Sequence, residues 1–214
     1  MTIPFSRAAL IIIDVQNDFC PGGALEVKNG DEVIEPLNRL ASLFASHQCR
    51  VVATQDWHPP DHVSFAASHV GKAPGETVNL PGSGIQVLWP VHCVQGTRGA
   101  AFHEGLDLGK LNLIIRKGFC AGMDSYSAFF ENDHTTSTGL NSFFRALSID
   151  TLVLGGLATD YCVLYNALDA AALGYKTIVA GDAVRGVNLL AGSVDQAYRQ
   201  LAGAGVIVAD SGDF

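Results

Sequence analysis

Residues 151–174 read TLVLGGLATDYCVLYNALDAAALG. Thr151 to Leu154 is a short apolar run, the length of a buried strand rather than of a helix. Gly155 and Gly156 follow it, and from Thr159 to Leu173 apolar residues recur at helical spacing until Gly174 supplies a terminator. Another apolar run, Lys176 to Ala180, begins almost at once. Strand, helix and strand in that order are the sign of parallel strands covered by helices.

The same rhythm extends in both directions. Ala8 to Ile13, Cys49 to Ala53, Leu111 to Ile115 and Val206 to Ala209 are further strand-length runs, while Asp31 to His47, Leu140 to Leu147 and Ser193 to Ala202 carry helical periodicity. The expected fold is α/β: one three-layer α/β/α domain over residues 1–214, with a doubly wound, mostly parallel sheet of about six strands. The region of about 57–108 breaks the rhythm. It is rich in proline, glycine and histidine with little periodicity, and a loop of that length in a compact domain is expected to build or cover a site.

Composition narrows the partners. With 48% hydrophobic and 16% charged residues among 214, the chain has ample material for a core. A formal charge of -8 disfavours nucleic acid and anionic membranes, which are bound through Lys and Arg clusters, and favours a small-molecule ligand. The first apolar run is too short for a signal-peptide core or a membrane span, so a cytoplasmic location is expected. Five scattered cysteines with no C-x-x-C pair indicate neither a disulfide framework nor a thiolate metal knuckle. Apolar helix faces suit a core or an interface equally, which leaves monomer and homo-oligomer both open.

Ligands of open α/β sheets bind beyond the carboxyl ends of the strands, so the polar residues there come first. The run Ala8 to Ile13 stops at Asp14, Cys49 to Ala53 leads to Asp56 and His58, Leu111 to Ile115 leads to Lys117, and Thr151 to Leu154 leads to Cys162. Cys162 at the opening of a helix is placed where backbone N–H groups and the helix dipole favour a thiolate nucleophile. The amides from about Ala158 to Cys162 suit the oxyanion of a tetrahedral intermediate. A small buried hydrophobe is the plainer reading of the cysteine alone. Asp14 and Lys117 fit an acid/base pair beside that thiol, or a structural ion pair. In extended backbone Asp56 and His58 point to one side, and with His92 they form a three-ligand set for zinc, iron or manganese; D-x-H alone also fits a solvated turn. His62 and Ser64 are further candidates near that set.

Seven segments together resemble the nicotinamidase branch of the isochorismatase-like cysteine hydrolases: IIDVQNDF at 12–19, PGG at 21–23, TQDWHP at 54–59, WPVHCVQG at 89–96, KG at 117–118, DSYSAF at 124–129 and GLATDYCV at 156–163. The resemblance implies a triad of Asp14, Lys117 and Cys162, and one divalent ion, zinc first, on Asp56, His58 and His92, with His62 assigned as a fourth ligand and Ser64 open. It implies a cis peptide at Leu157-Ala158 that aims the Ala158 and Cys162 amides at an oxyanion, and pocket walls of Phe19, Trp89 and Tyr126. It further implies hydrolysis of nicotinamide to nicotinate and ammonia through a cysteine thioester, action on pyrazinamide, and a place in NAD salvage. The pairing of D-W-H with W-P-V-H separates this branch from isochorismatases and from carbamoylsarcosine and ureido-amide hydrolases. A non-catalytic binding module on the same sheet would need neither a nucleophile nor an acid/base partner.

Overall fold

The computed structural model describes residues 3–214. Ala8–Ile13 forms β1, buried along its whole length. Its apolar run is continuous because both faces are covered: Leu10 and Ile12 pack into one hydrophobic cluster, Ala9, Ile11 and Ile13 into the other. Leu37, Leu40, Ala41 and Phe44 of α1 (Ile34–Ser46) cover the first face. The second is covered by α2 (Leu140–Ala146), α3 (Leu164–Ala172) and α4 (Ser193–Gly203) through Phe144, Leu164, Ala167 and Leu201. Three layers result, as the alternation of runs predicts.

The remaining elements are β2 (Arg50–Asp56), β3 (Thr77–Leu80), β4 (Gly84–Val87), β5 (Leu113–Lys117), β6 (Thr151–Leu157), β7 (Lys176–Arg185) and β8 (Ile207–Ala209). The main sheet has six strands in the order β5-β2-β1-β6-β7-β8, every pair parallel. The chain winds outward from β1 to β5 on one side and from β6 to β8 on the other. The direction of winding therefore reverses between β1 and β6, and a crevice opens beyond their carboxyl ends. Asp14 ends β1 and Cys162 follows β6, so both stand at that switch point. Gly156 permits it: a Cβ there would lie 2.1 Å from the Ile13 carbonyl oxygen, so a side chain would force β6 away from β1.

The proline- and glycine-rich region differs from its sequence reading in one respect. β3 and β4 form an antiparallel hairpin in register Thr77↔Val87 to Leu80↔Gly84, turning through Pro81 and Gly82. Two four-residue strands are too short for a periodic signal, and the Pro-Gly turn between them was the only legible mark. No helix of the described residues is long and apolar enough to cross a membrane.

Candidate active site

The strand ends assemble a buried charge cluster around Lys117, which has no exposed surface. Its ammonium donates to Asp56 Oδ1, to the Ser125 carbonyl at 3.0 Å and to Cys162 Sγ at 3.4 Å. It stands 2.9 Å from Asp14 Oδ2, an ion-pair contact without hydrogen-bond alignment, so that oxygen is left with no hydrogen-bond partner among the described residues. Asp14 itself adopts φ 49°, and Thr54 Oγ1 donates to its Oδ1 at 2.5 Å. Thr54 lies two residues before Asp56 on β2 and so shares its face; sequence reading passed over it although it begins the TQDWHP segment. One oxygen of Asp14, one of Asp56 and Cys162 Sγ lie within 4.8 Å of one another.

These contacts set the protons. Burial pushes the Cys162 thiol well above the ordinary cysteine value; Lys117 opposes the rise, and Asp14 and Asp56 add to it. The resting side chain is therefore a neutral thiol, where the helix-start argument led to a thiolate, because burial, reinforced by the two carboxylates, outweighs the ammonium. Burial lifts Asp14 to about 6 against the pull of Lys117, with Asp56 adding to the rise. At Asp56 burial works the same way, but Lys117 and His58 outweigh it and hold the carboxyl well below its ordinary value. Burial disfavours the Lys117 ammonium, yet Asp14 and Asp56 keep it charged far above the usual lysine range.

Cys162 lies in a π-helical turn, Thr159–Val163, that precedes α3. The Leu157-Ala158 peptide is cis. Ala158, Cys162, Asp56, His58 and His92 line one pocket, together with Phe19, Trp89 and Tyr126. Trp89 Nε1 donates to the Tyr126 hydroxyl at 3.2 Å. Leu25, Asp124, Tyr161 and Val187 line it too and were not singled out from sequence; Asp124 and Tyr161 lie within segments that carried the resemblance, while Leu25 and Val187 had no signal.

Asp56, His58 and His92 offer ligand atoms within 4.8 Å of one another, all three buried. The imidazoles are arranged for a cation. His58 Nδ1 donates to the Gly118 carbonyl at 2.8 Å and His92 Nδ1 to the Pro90 carbonyl at 2.7 Å, which turns both Nε2 atoms inward; that of His58 faces Asp56 Oδ2 at 3.6 Å, and although burial opposes it, this carboxylate raises His58 above the ordinary imidazole value. Burial and the neighbouring His58 lower His92 to about 4, so it is neutral, as a ligand must be. The donor set therefore fits a divalent ion. His62 stands with His58 and Asp124 instead; its Nδ1 is 2.7 Å from Ser64 Oγ and its Nε2 3.1 Å from the Met123 carbonyl.

Gly118, at φ +61°, leaves no room for a side chain: a Cβ would meet His58 Cε1 at 2.4 Å and Nδ1 at 2.6 Å. Gly118→Ala is expected to turn the His58 ring out of the set and weaken the affinity of the site for a divalent ion by about 10- to 100-fold, the usual cost of losing a ligand's outer support. Competition with a chromogenic chelator measures this, and wild-type affinity in the variant would refute it.

A family model of the isochorismatase domain matches residues 8–213, and the chain belongs to that family. Within it, the chain is 47% identical to the nicotinamidase of Acinetobacter baylyi over 201 residues, covering 94% of this chain and 91% of that one. The solved structure of an Acinetobacter baumanii nicotinamidase/pyrazinamidase superposes with a TM-score of 0.93 at 50% identity, covering 97% and 98% of the two chains. A Pyrococcus horikoshii pyrazinamidase in complex with zinc superposes with a TM-score of 0.78 at 32% identity, covering 95% and 99%.

Proposed function

We propose that this protein is an amidohydrolase that converts nicotinamide to nicotinate and ammonia and also accepts pyrazinamide, with Cys162 as nucleophile and Asp14 and Lys117 as its partners. The reading rests above all on one observation: a buried carboxylate, ammonium and thiol meet at the switch point of the sheet and open onto a pocket walled by aromatics. The nicotinamidase and pyrazinamidase relatives support the substrate class.

In the first half-reaction the Asp14 carboxylate, held by Lys117 at its Oδ2, takes the Cys162 proton while sulphur bonds to the carboxamide carbon. The carbonyl π pair moves onto oxygen, where the Ala158 and Cys162 amides receive it. Asp14 then delivers the proton to the nitrogen, the C–N bond breaks, and ammonia leaves a thioester on Cys162. In the second half, Asp14 takes a proton from water as the water oxygen attacks the thioester; nicotinate departs and sulphur recovers the proton. Lys117 holds both carboxylates in place and offsets negative charge as it builds on sulphur. Phe19, Trp89 and Tyr126 sandwich the flat ring and turn its carboxamide toward Cys162. Asp56, His58 and His92 would hold a divalent ion, with His62, whose ring lies beside that of His58, as a further ligand; bound there, the ion would supply a Lewis-acidic partner for the pyridine nitrogen. Zinc is supported by the Pyrococcus complex, while the donor types alone also admit iron or manganese. Nicotinate formed in this way enters NAD salvage.

The test is ammonia release from nicotinamide and pyrazinamide by the purified chain, before and after chelation and with metal restored. Release that chelation abolishes and zinc restores is the expected result; a metal-loaded protein that releases none sinks the assignment. The protonation of Asp14 adds a second expectation. A carboxyl lifted to about 6 is a base only above that pH, so kcat/KM rises about tenfold per unit toward pH 6 and then levels. A profile measured in excess zinc that stays flat down to about pH 5 would remove Asp14 from the base role.

A further inference from the structure

The aspartate of the A-T-D-Y-C segment takes no part in the chemistry above, yet it is the best-bonded carboxylate near the nucleophile. Asp160 is buried, two residues before Cys162, and both its oxygens accept hydrogen bonds from the segment that follows β7. The Val187 N–H donates to Oδ1 at 2.9 Å, the Asn188 N–H to Oδ2 at 2.9 Å, and Ser193 Oγ to Oδ2 at 2.5 Å. Two successive N–H groups converge on one carboxylate because Asn188 takes a left-handed conformation, φ 52°, which curls the backbone into a concave anion nest. Val187 is itself a pocket wall beside Ala158, Tyr161 and Cys162. Leu189 reaches on toward Gly75 on the far side.

Val187 packs against the core, but beyond it the segment after β7 has little apolar anchorage: Leu189 and Leu190 are 42% and 72% exposed. Its position against the nucleophile turn depends instead on charge-assisted hydrogen bonds, each stronger than a neutral one.

We propose that Asp160 is a positioning residue that latches the 187–193 segment to the Cys162 turn, and that this latch sets how closely the Val187 wall confines a flat aromatic amide and how accessible Cys162 is from solvent. The proposal rests on the reading of this pocket as a nicotinamide site for its choice of substrate. Its effect on Cys162 is independent of that reading.

Two readouts on the full metal-loaded chain test it: steady-state kinetics with nicotinamide, and the rate at which iodoacetamide alkylates Cys162, followed by peptide mass spectrometry. In Asp160→Ala, KM rises about tenfold or more while kcat falls less than about threefold, and Cys162 alkylation accelerates severalfold. Ser193→Ala, which removes one bond far from the chemistry, shifts both readouts the same way by a smaller factor. Asp160→Asn keeps the Val187 bond but turns an N–H toward Asn188, and falls between them. If Asp160→Ala does not fold, Ser193→Ala and Asp160→Asn decide the matter. Unchanged KM and alkylation in both, or a loss confined to kcat, overturns the latch. A wild type that turns over no nicotinamide defeats the functional reading, while the alkylation comparison still tests the latch.

Discussion

Cys162→Ala is expected to lower kcat/KM for nicotinamide by at least about 10,000-fold, and Asp14→Asn by roughly 100- to 10,000-fold. The first removes the atom that must bond to the carboxamide carbon. The second leaves the pocket shape intact and removes only the base, and the thiol needs one: burial and the two carboxylates hold it neutral, so no thiolate is waiting for substrate. Because the two groups act in one proton transfer, the double variant is expected to be no slower than Cys162→Ala alone. Initial rates of ammonia release on all three proteins give the comparison. Calorimetry with Cys162→Ala should still record nicotinamide binding, which separates lost chemistry from a lost fold. An Asp14→Asn protein within tenfold of wild type would return Asp14 and Lys117 to the status of a structural ion pair.

The strands and helices were legible because their burial is two-sided and regular. β1 occupies Ala8–Ile13 as read, and β6 begins at Thr151, but β2 and β6 each run about three residues beyond their apolar runs, through Asp56 and Leu157. Hydrophobic patterning stops where the site begins, so it marks the start of a strand better than its functional end. The site residues could be found one at a time from those ends, since a carboxylate or a thiol after an apolar run has few inexpensive places to go. What no local pattern could supply is the balance among them. The thiolate expected at the helix start becomes a thiol once burial, with Asp14 and Asp56 brought in from distant parts of the chain, overcomes the pull of Lys117. The surroundings of His62 are a similar case: its spacing in D-H-V-S suits a ligand, and the fold groups it with His58 and Asp124 while its ring nitrogens lie against Ser64 and Met123. Leu25 and Val187 belong to the pocket solely through the path of loops.

Lys117→Met is expected to be the most destabilising of these single changes, by roughly 3–5 kcal/mol, because it removes the ammonium that pairs with both buried carboxylates. For a domain of this size that is a fall in melting temperature of about 10 °C. The methionine fills nearly the same volume, so a cavity is not the cause, and the sign of the pH dependence separates charge from packing. With the cation gone, Asp14 rises further above its unfolded value, and Asp56 loses the largest of the pulls that hold it below its own. A carboxyl raised by folding contributes stability at low pH and loses it as pH climbs through the folded value. The deficit of the variant relative to wild type should therefore shrink as the solution is acidified from about pH 8 to about pH 5. Asp14→Asn in the same background removes one of the two buried carboxylate charges, so the double variant should melt above Lys117→Met alone. Thermal unfolding of the four proteins at both pH values measures the cycle. A deficit that does not change with pH, and costs that simply add, would mean that Lys117 stabilises the fold through its hydrocarbon stem rather than as the counter-ion of the catalytic carboxylates.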